Sequence, residues 1–456
     1  MALGRRAVAD FVAAYRSGRR TPRDVAERAL AFAAALDRRD PPMCLFTTLD
    51  PAGVRAQADA SALRWRNGQP RSLLDGVPVA IKDSYDVAGE PTCAGTSFLG
   101  KTPAVRDATV VRRLREAGAT LLGKTNMYEL GLYPSGLNLR FGAVRNPWDP
   151  TRDTGGSSSG SAATVAVGLA PIALGTDLGG SVRIPAALCG IPSLKPSFGR
   201  LPLDGVSQLA WSLEHLGPMC ATVDDVRLAF ATMAGESAGA LPVGPFRLGV
   251  CEAWWSAASP EVADGCRAAI ARLVAAGCTE VAIELPHLAL ANAAGSITTL
   301  VEAAAANARP LAADAPFSPA VRAGLEFGRG MPGALYLKAQ RVRTLLAADF
   351  ERALAQVDLV VSPTTAIAAP RYCADAFASG ELDPGRTEEL VHYTFAYNLT
   401  GLPAAQVPCG HTGGGLPIGL QIAAPPGGEL RALGLAALLE RTTGARVPPL
   451  YVDLLE

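Results

Sequence analysis

Apolar residues recur at helical spacing in several segments of the chain. The first 75 residues are predicted to be helical, most clearly over 7–15 and 25–36, with Thr21 as the N-cap residue and Pro22 in the first turn of the second helix. The same pattern predicts further helices over 110–118, 223–235, 260–277, 288–308, 336–357 and 429–441.

Short apolar runs rich in β-branched residues lie between these helices. The run 76–81 is typical of a buried strand, and it ends at Lys82 and Asp83. Further strands are predicted over 120–123, 246–250, 358–362 and 419–423, whereas the Pro- and Gly-rich segments 192–205 and 363–386 are predicted to be loops. The alternation of strands and helices indicates an α/β sheet.

The chain has no internal repeat and no obvious linker. We therefore predict one domain over 1–456, comprising an N-terminal helical segment (1–75), a central core (76–205), and the remainder of the sheet (206–456).

Composition excludes several classes of function. Lys+Arg and Asp+Glu both number 42 and no basic run is present, so we expect no nucleic-acid partner. The apolar stretch 162–174 is interrupted by Gly168 and Pro171 and is shorter than the ~20 residues of a membrane span, so we expect no membrane partner. The nine cysteines form no C-x-x-C pair, which favours the cytoplasm and suggests neither a disulfide framework nor a metal site.

Two loops place serines directly after paired glycines, Ser157 to Ser159 in the first and Ser181 in the second. Consecutive glycines allow backbone turns in which successive N–H groups point at one spot. The N–H groups of the second loop would then stabilise the oxyanion formed when Ser181 attacks a carbonyl; they belong to Leu178, Gly179, Gly180 and Ser181. The alternative is a glycine-rich turn that carries a surface serine.

A serine nucleophile needs a base, and the four histidines are far from both loops in sequence. Lys82 is the candidate, because burial at a strand end lowers the pKa of an amine. Ser157 could relay the proton by donating to Lys82 while accepting from Ser181. The first loop has two other interpretations, a flexible linker and a phosphate-binding loop, but the latter lacks the Gly-Lys-Ser/Thr sequence.

Ten segments together resemble the amidase signature family, in the order in which that family has them. They are 76–83 (GVPVAIKD), 123–127 (GKTNM), 145–149 (RNPWD), 155–161 (GGSSSGS), 175–185 (GTDLGGSVRIP), 194–200 (LKPSFGR), 336–340 (YLKAQ), 362–365 (SPTT), 398–403 (NLTGLP) and 416–422 (LPIGLQI). Each motif is weak by itself, but the set is specific and spans nearly the whole chain.

The resemblance implies a single α/β/α domain with a large mixed sheet, and a Ser-cisSer-Lys triad without metal or organic cofactor. Ser181 matches the nucleophile, Ser157 the serine that follows a cis peptide bond, and Lys82 the base. Three further positions match supporting residues of the family: Ser158, Asp177 and Arg183.

The chain also departs from the family pattern. Ser159 replaces a glycine, which is tolerable if this residue does not need a positive φ. Tyr128 stands in the usual Met-Asp-Glu run and the segment 131–138 is atypical, so we expect a substrate outside the best-known classes. Tyr128, Tyr336 and Arg343 are the candidate substrate-binding residues.

We therefore expect an amidohydrolase that acts on a small amide or urea-like compound, nearest to the branch that contains carboxybiuret hydrolase. One alternative is the A subunit of the tRNA-dependent amidotransferase, a glutaminase. That enzyme has an acidic residue for the glutamine amino group where this chain has Val391, although Arg343 matches its carboxylate-binding residue. A catalytically silent binding protein is the other alternative. A homodimer or a small helper subunit would fit either enzyme.

Overall fold

A computed structural model describes residues 4–373, 375–380, 383–444 and 446–456. These residues form one sheet of eleven strands in the order β1-β3-β2-β4-β6-β5-β10-β11-β9-β7-β8. The strands are β1 (Phe46–Thr48), β2 (Pro78–Lys82), β3 (Thr120–Thr125), β4 (Ile172–Asp177), β5 (Ser193–Lys195), β6 (His215–Cys220), β7 (Arg247–Val250), β8 (Thr279–Ala282), β9 (Leu359–Pro363), β10 (Ala404–His411) and β11 (Pro417–Ala423).

The sheet is mixed. β3, β2 and β4 are parallel, as are β9, β7 and β8, and antiparallel pairs connect β4 to β9 through β6, β5, β10 and β11. Because β2 and β4 run in the same direction, their carboxyl ends meet at one edge of the sheet. This places Lys82, the last residue of β2, near Asp177, the last residue of β4.

Helices flank the sheet. They are α1 (Val8–Arg16), α2 (Pro22–Asp37), α3 (Pro51–Arg66), α4 (Thr109–Glu116), α5 (Ser159–Ala166), α6 (Arg183–Cys189), α7 (Val223–Ala234), α8 (Glu252–Trp255), α9 (Pro260–Ala275), α10 (Ala291–Ala306), α11 (Ala308–Ala312), α12 (Pro319–Gly330), α13 (Gly333–Leu354), α14 (Ala376–Ser379), α15 (Pro384–Val391), α16 (Phe395–Thr400) and α17 (Glu429–Thr442), with single 3-10 turns at Glu129–Gly131 and Leu288–Leu290. The α/β class with a large mixed sheet and flanking helices is confirmed.

Local signals predict the start of α2 and the end of α7 correctly. Thr21 caps α2 by accepting a hydrogen bond from the Asp24 N–H, as predicted. Gly235 adopts a left-handed φ of 73° at the end of α7, where the sequence predicts the helix to stop.

Two predicted loops were wrong in part. The segment 192–205 contains β5, a three-residue strand held between β6 and β10, and the segment 363–386 contains α14 and the start of α15. The N-terminal segment contains α1, α2 and α3, but it also contains β1, which pairs with β3 at the edge of the sheet. Such short elements are stabilised by the elements they pair with or pack against, and they are too short to show a periodic pattern in the sequence.

Among the described residues, one helical stretch is long and apolar enough to cross a membrane by length and composition alone, Leu288–Ala306. Half of it is buried within the protein, as in the core helix of a globular domain.

Candidate active site

Lys82 and Ser157 are in contact. The fully buried Lys82 Nζ donates to Ser157 Oγ at 2.8 Å and to Thr176 Oγ1 at 2.9 Å. Ser157 follows the cis peptide bond Gly156–Ser157, at the position that the resemblance implied. Strand β2 thus brings a lysine to a serine 75 positions further along the chain.

Burial controls the charge of this lysine. It lowers the pKa of Lys82 to about 7, and the negative charges of Glu214 and Asp177 only partly oppose it. Burial also raises the pKa of Glu214 to about 7, opposed by the charge of Lys82. Burial therefore favours the neutral form of both groups, the amine of Lys82 and the carboxylic acid of Glu214.

Glu214 was not identified from the sequence. It directly precedes β6, in which His215 is paired with Asp177 of β4. Its Oε2 accepts the Leu209 N–H at 3.3 Å, and its Oε1 is buried without a hydrogen-bond partner among the described residues. The antiparallel pairing of β4 with β6 places it near Lys82, and no local pattern in the sequence indicates that pairing.

The Ser181 loop is anchored by a carboxylate. Asp177 accepts the N–H groups of Gly180 at 2.8 Å and Val182 at 3.1 Å, and it forms a buried ion pair with Arg183 at 2.8 Å. Although burial raises the pKa of Asp177, the charge and hydrogen bonds of Arg183, together with the Lys195 charge and the Asn398 hydrogen bond, outweigh burial and hold that pKa well below its usual value. The predicted supporting positions of Asp177 and Arg183 fit this arrangement.

The hydrogen bond from Gly180 requires a correction to the predicted oxyanion hole. Its N–H is already donated to Asp177, so it does not point freely toward a substrate. The N–H groups of Leu178, Gly179 and Ser181 donate to no acceptor in the part of the chain that the structure describes. They remain the three candidate oxyanion donors.

The two serine loops touch through their backbones. The Ser158 N–H donates to the Ser181 carbonyl oxygen at 3.3 Å. The predicted hydrogen bond from the Ser181 hydroxyl to Ser157 is not formed within the described residues. The structure therefore brings Lys82 and Ser157 into contact and places Ser181 on the adjoining loop.

The serines beside Ser157 hold the first loop in place. The Ser158 hydroxyl donates to the Thr176 carbonyl oxygen at 3.2 Å and accepts the Thr176 N–H at 3.3 Å. Ser159 is the first residue of α5 and is not among the residues with positive φ, so it replaces the usual glycine without backbone strain.

Two further residues that sequence reasoning missed fix Arg183. Its guanidinium donates to Asn398 Oδ1 at 2.6 Å and to Gln421 Oε1 at 2.7 Å. Both residues lie in motifs that carry the family resemblance, which was the available signal for them. They orient Arg183 and, through it, Asp177.

Only one of the three candidate substrate-binding residues adjoins the serines. The Tyr128 N–H donates to the Ser157 carbonyl oxygen at 3.2 Å. The Tyr336 hydroxyl donates to Glu302 at 2.8 Å, and the half-buried Arg343 lies over the Phe198 ring at 5.9 Å. No hydrogen bond joins Tyr336 or Arg343 to Lys82 or either serine in the described ranges.

Most of the chain matches one protein family. A family model described as Amidase covers residues 28–433. The chain is 37% identical over 483 residues to a fatty acid amide hydrolase of Arabidopsis thaliana, covering 98% of this chain and 78% of that protein.

A second relative and a solved structure are similar over most of their lengths. The chain is 37% identical over 459 residues to a glutamyl-tRNA(Gln) amidotransferase subunit of Myxococcus xanthus, covering 91% of this chain and 93% of the relative. A crystal structure of an amidase superimposes with a TM-score of 0.88 at 33% identity, covering 96% of this chain and 100% of the other.

Proposed function

Because the chain belongs to the amidase family and is an amide-cleaving hydrolase, we propose that it cleaves its substrate through an acyl-enzyme on Ser181. Ser157 and Lys82 carry the protons in this proposal. The contact of 2.8 Å between Lys82 Nζ and Ser157 Oγ is the observation that supports it most directly.

In the acylation step the Ser181 oxygen forms a bond to the carbonyl carbon of the amide. The Ser181 proton passes to Ser157, whose own proton passes to the neutral amine of Lys82. The N–H groups of Leu178, Gly179 and Ser181 stabilise the oxyanion. When the C–N bond breaks, the leaving nitrogen takes a proton from Ser157, which Lys82 replaces.

Deacylation repeats the relay with water. The water oxygen attacks the acyl carbon while its proton passes through Ser157 to Lys82. The bond to Ser181 then breaks, Ser181 regains a proton by the reverse route, and the acid leaves. A pKa of Lys82 of about 7 suits both directions of transfer, because the amine can accept and return a proton near neutral pH.

We propose an apolar acyl group for the substrate, within the class of small amides and urea-like compounds. A Cβ on Gly179 would lie 2.6 Å from the Phe395 ring, so this aromatic side chain packs directly against the predicted oxyanion loop. Val391 is buried in the same cluster as Phe395 and Ile184. The name of the Arabidopsis relative, a fatty acid amide hydrolase, points in the same direction.

The same cluster argues against glutamine as the substrate. The amino group of glutamine needs an acidic partner, and the apolar Val391 stands where the tRNA-dependent enzyme has one. Val391 is 8% exposed and has apolar neighbours, which would leave an ammonium group without compensation.

Assembly with a small helper protein stays a proposal as well.

The proposal is tested by covalent labelling. A fluorophosphonate probe should label the wild-type protein and the control variant Ser256→Ala, whose serine is exposed outside the site, and should fail on Ser181→Ala. Labelling of Ser181→Ala at the wild-type rate would contradict the assignment of the nucleophile.

The substrate class needs a separate measurement. Purified protein should release ammonia or amine from a panel of primary amides, anilides and ureas, with higher kcat/KM as the acyl chain lengthens. Faster turnover of glutamine than of every apolar amide would contradict the proposed substrate class while leaving the labelling result intact.

A further inference from the structure

A cavity of about 650 Å³ lies at the carboxyl ends of β7 and β8. The last residues of these two strands, Val250 and Ala282, both line it, and its lining includes neither of the catalytic serine loops nor Lys82. The carboxyl ends of parallel strands are a frequent place for ligands in α/β sheets. The volume falls within the range of roughly 300–1,000 Å³ that small-molecule sites occupy.

The floor of this cavity is apolar. Trp254, Ile283 and Leu288 are buried and contribute to its lining. Trp254 is held in place because its carbonyl oxygen accepts the Tyr393 hydroxyl at 3.1 Å. A hydrocarbon or aromatic group would displace water from this floor, and the removal of apolar surface from water favours binding.

The rim of the cavity is acidic. Glu284 and Glu388 are exposed and form no ion pair in the described part of the chain, whereas a third carboxylate, Glu252, is paired with Arg267. Burial lowers the pKa of His392, so this lining residue does not supply a positive charge at neutral pH. Two of the three lining carboxylates are therefore unpaired, and no cation among the described lining residues balances them.

The cavity also contains an unused acceptor. Asn292 Oδ1 is buried and has no hydrogen-bond partner among the described residues. A buried acceptor in this state destabilises the protein, and a ligand that donates a hydrogen bond would remove that cost. The lining thus offers negative charge and an acceptor above an apolar floor.

We propose that this cavity binds a small molecule with an apolar body and a cationic nitrogen, such as an arylalkylamine. Its ring would lie on Trp254, and its ammonium group would be attracted to Glu284, Glu388 and Asn292 Oδ1. The site is separate from the serine centre, because its described lining includes no residue of the two serine loops. Residues 393 and 394 lie between the two sites: the Tyr393 hydroxyl donates to the Trp254 carbonyl oxygen at 3.1 Å, and Thr394 donates to the carbonyl oxygen of Gly179 at 2.6 Å.

Isothermal titration of the full chain with 1-naphthylmethylamine at pH 7.5 tests the proposal. We expect saturable binding of one amine, with at least tenfold weaker binding of the uncharged analogue 1-naphthylmethanol and no binding of 1-naphthoate. Equal affinity for the amine and the alcohol would overturn the role of the acidic rim, and absence of saturable amine binding would overturn the site.

Variants locate the binding. Glu284→Gln combined with Glu388→Gln should weaken amine binding at least tenfold, and Ala289→Trp should abolish it by filling the cavity. Glu389→Gln is the matched control, because this exposed neighbour is not part of the lining and should leave the affinity unchanged. Wild-type affinity in Ala289→Trp would mean that the amine binds elsewhere, and would overturn the proposal.

Discussion

The Nζ of Lys82 lies 2.8 Å from the Oγ of Ser157, and no solvent reaches the lysine side chain. An ammonium group in such a place has lost its hydration, and the single hydroxyl contacts of Ser157 and Thr176 do not restore it. The neutral amine is therefore the favoured form at a much lower pH than for an exposed lysine. This is the form that a general base requires.

Replacement of this lysine should remove the base. We predict that Lys82→Ala lowers kcat by about 10²–10⁴-fold, the usual contribution of a general base. In the wild type, kcat should rise with pH through about 7 and level off above it, because the deprotonated amine accepts the proton. Steady-state rates on an amide substrate from pH 5 to 9 measure both effects.

Lys101→Ala provides the control for this prediction, since Lys101 is exposed. It should keep the wild-type rate and pH profile. A Lys82→Ala protein that retains wild-type kcat, with a native circular dichroism spectrum, would exclude Lys82 as the base.

Glu214 should set the pH at which the enzyme becomes active. Its negative charge raises the pKa of Lys82, so Glu214→Gln should lower that pKa further. We predict that the acidic limb of the kcat profile moves to lower pH by about one unit. The exposed Glu236→Gln should leave the limb in place. A shift to higher pH would show that Glu214 acts on the site in another way.

Some of this site could be predicted from the sequence because its signals are local. Lys82 ends a β-branched run, and Ser157 and Ser181 follow paired glycines. The signal for each of these residues therefore lies in its immediate neighbours in the sequence. The contact between Lys82 and Ser157 could be predicted only from the family resemblance, because residues 75 positions apart leave no periodic pattern in the sequence when they meet.

Glu214 shows why the rest could not be predicted. It reaches Lys82 only through the pairing of β4 with β6, and β6 contains Gly217 and Pro218, which are uncommon inside central strands. β10 was missed for a similar reason: Pro408 lies where its register with β11 shifts. Strands that break the usual residue preferences are recognised only once their partners are known.

The buried pair of Asp177 and Arg183 should be important for stability as well as for activity. Asp177→Asn leaves the Arg183 guanidinium buried without its carboxylate, at a cost of about 3–5 kcal/mol in the free energy of unfolding. Urea denaturation measures this loss. Because Arg183 holds the pKa of Asp177 below its usual value, the contribution is present at neutral pH and is lost as the pH falls through that lowered pKa.

Glu116→Gln is the matched control for Asp177→Asn. Its pair with Arg112 is exposed, with 60% and 51% of the two side chains accessible. The change in the free energy of unfolding should stay within about 1 kcal/mol. Similar losses in the two variants would contradict the special position of the buried pair.

Gly131 borders the proposed relay and offers a test of its geometry. Its φ is +78°, and a Cβ at this position would lie 3.1 Å from Ser157 Oγ. Gly131→Ala should therefore carry a backbone cost of about 1–2 kcal/mol and displace the Ser157 hydroxyl from Lys82. We predict that kcat falls by about tenfold or more, because proton transfer depends on that alignment.

Gly68→Ala separates backbone strain from the effect on Ser157. Gly68 has a similar φ of +68°, but a Cβ there would meet no atom within 4 Å. Both variants should lose similar stability in thermal denaturation, whereas only Gly131→Ala should lose kcat. Equal kcat in the two variants would mean that the position of the Ser157 hydroxyl does not limit the reaction, and the relay through this serine would have to be abandoned.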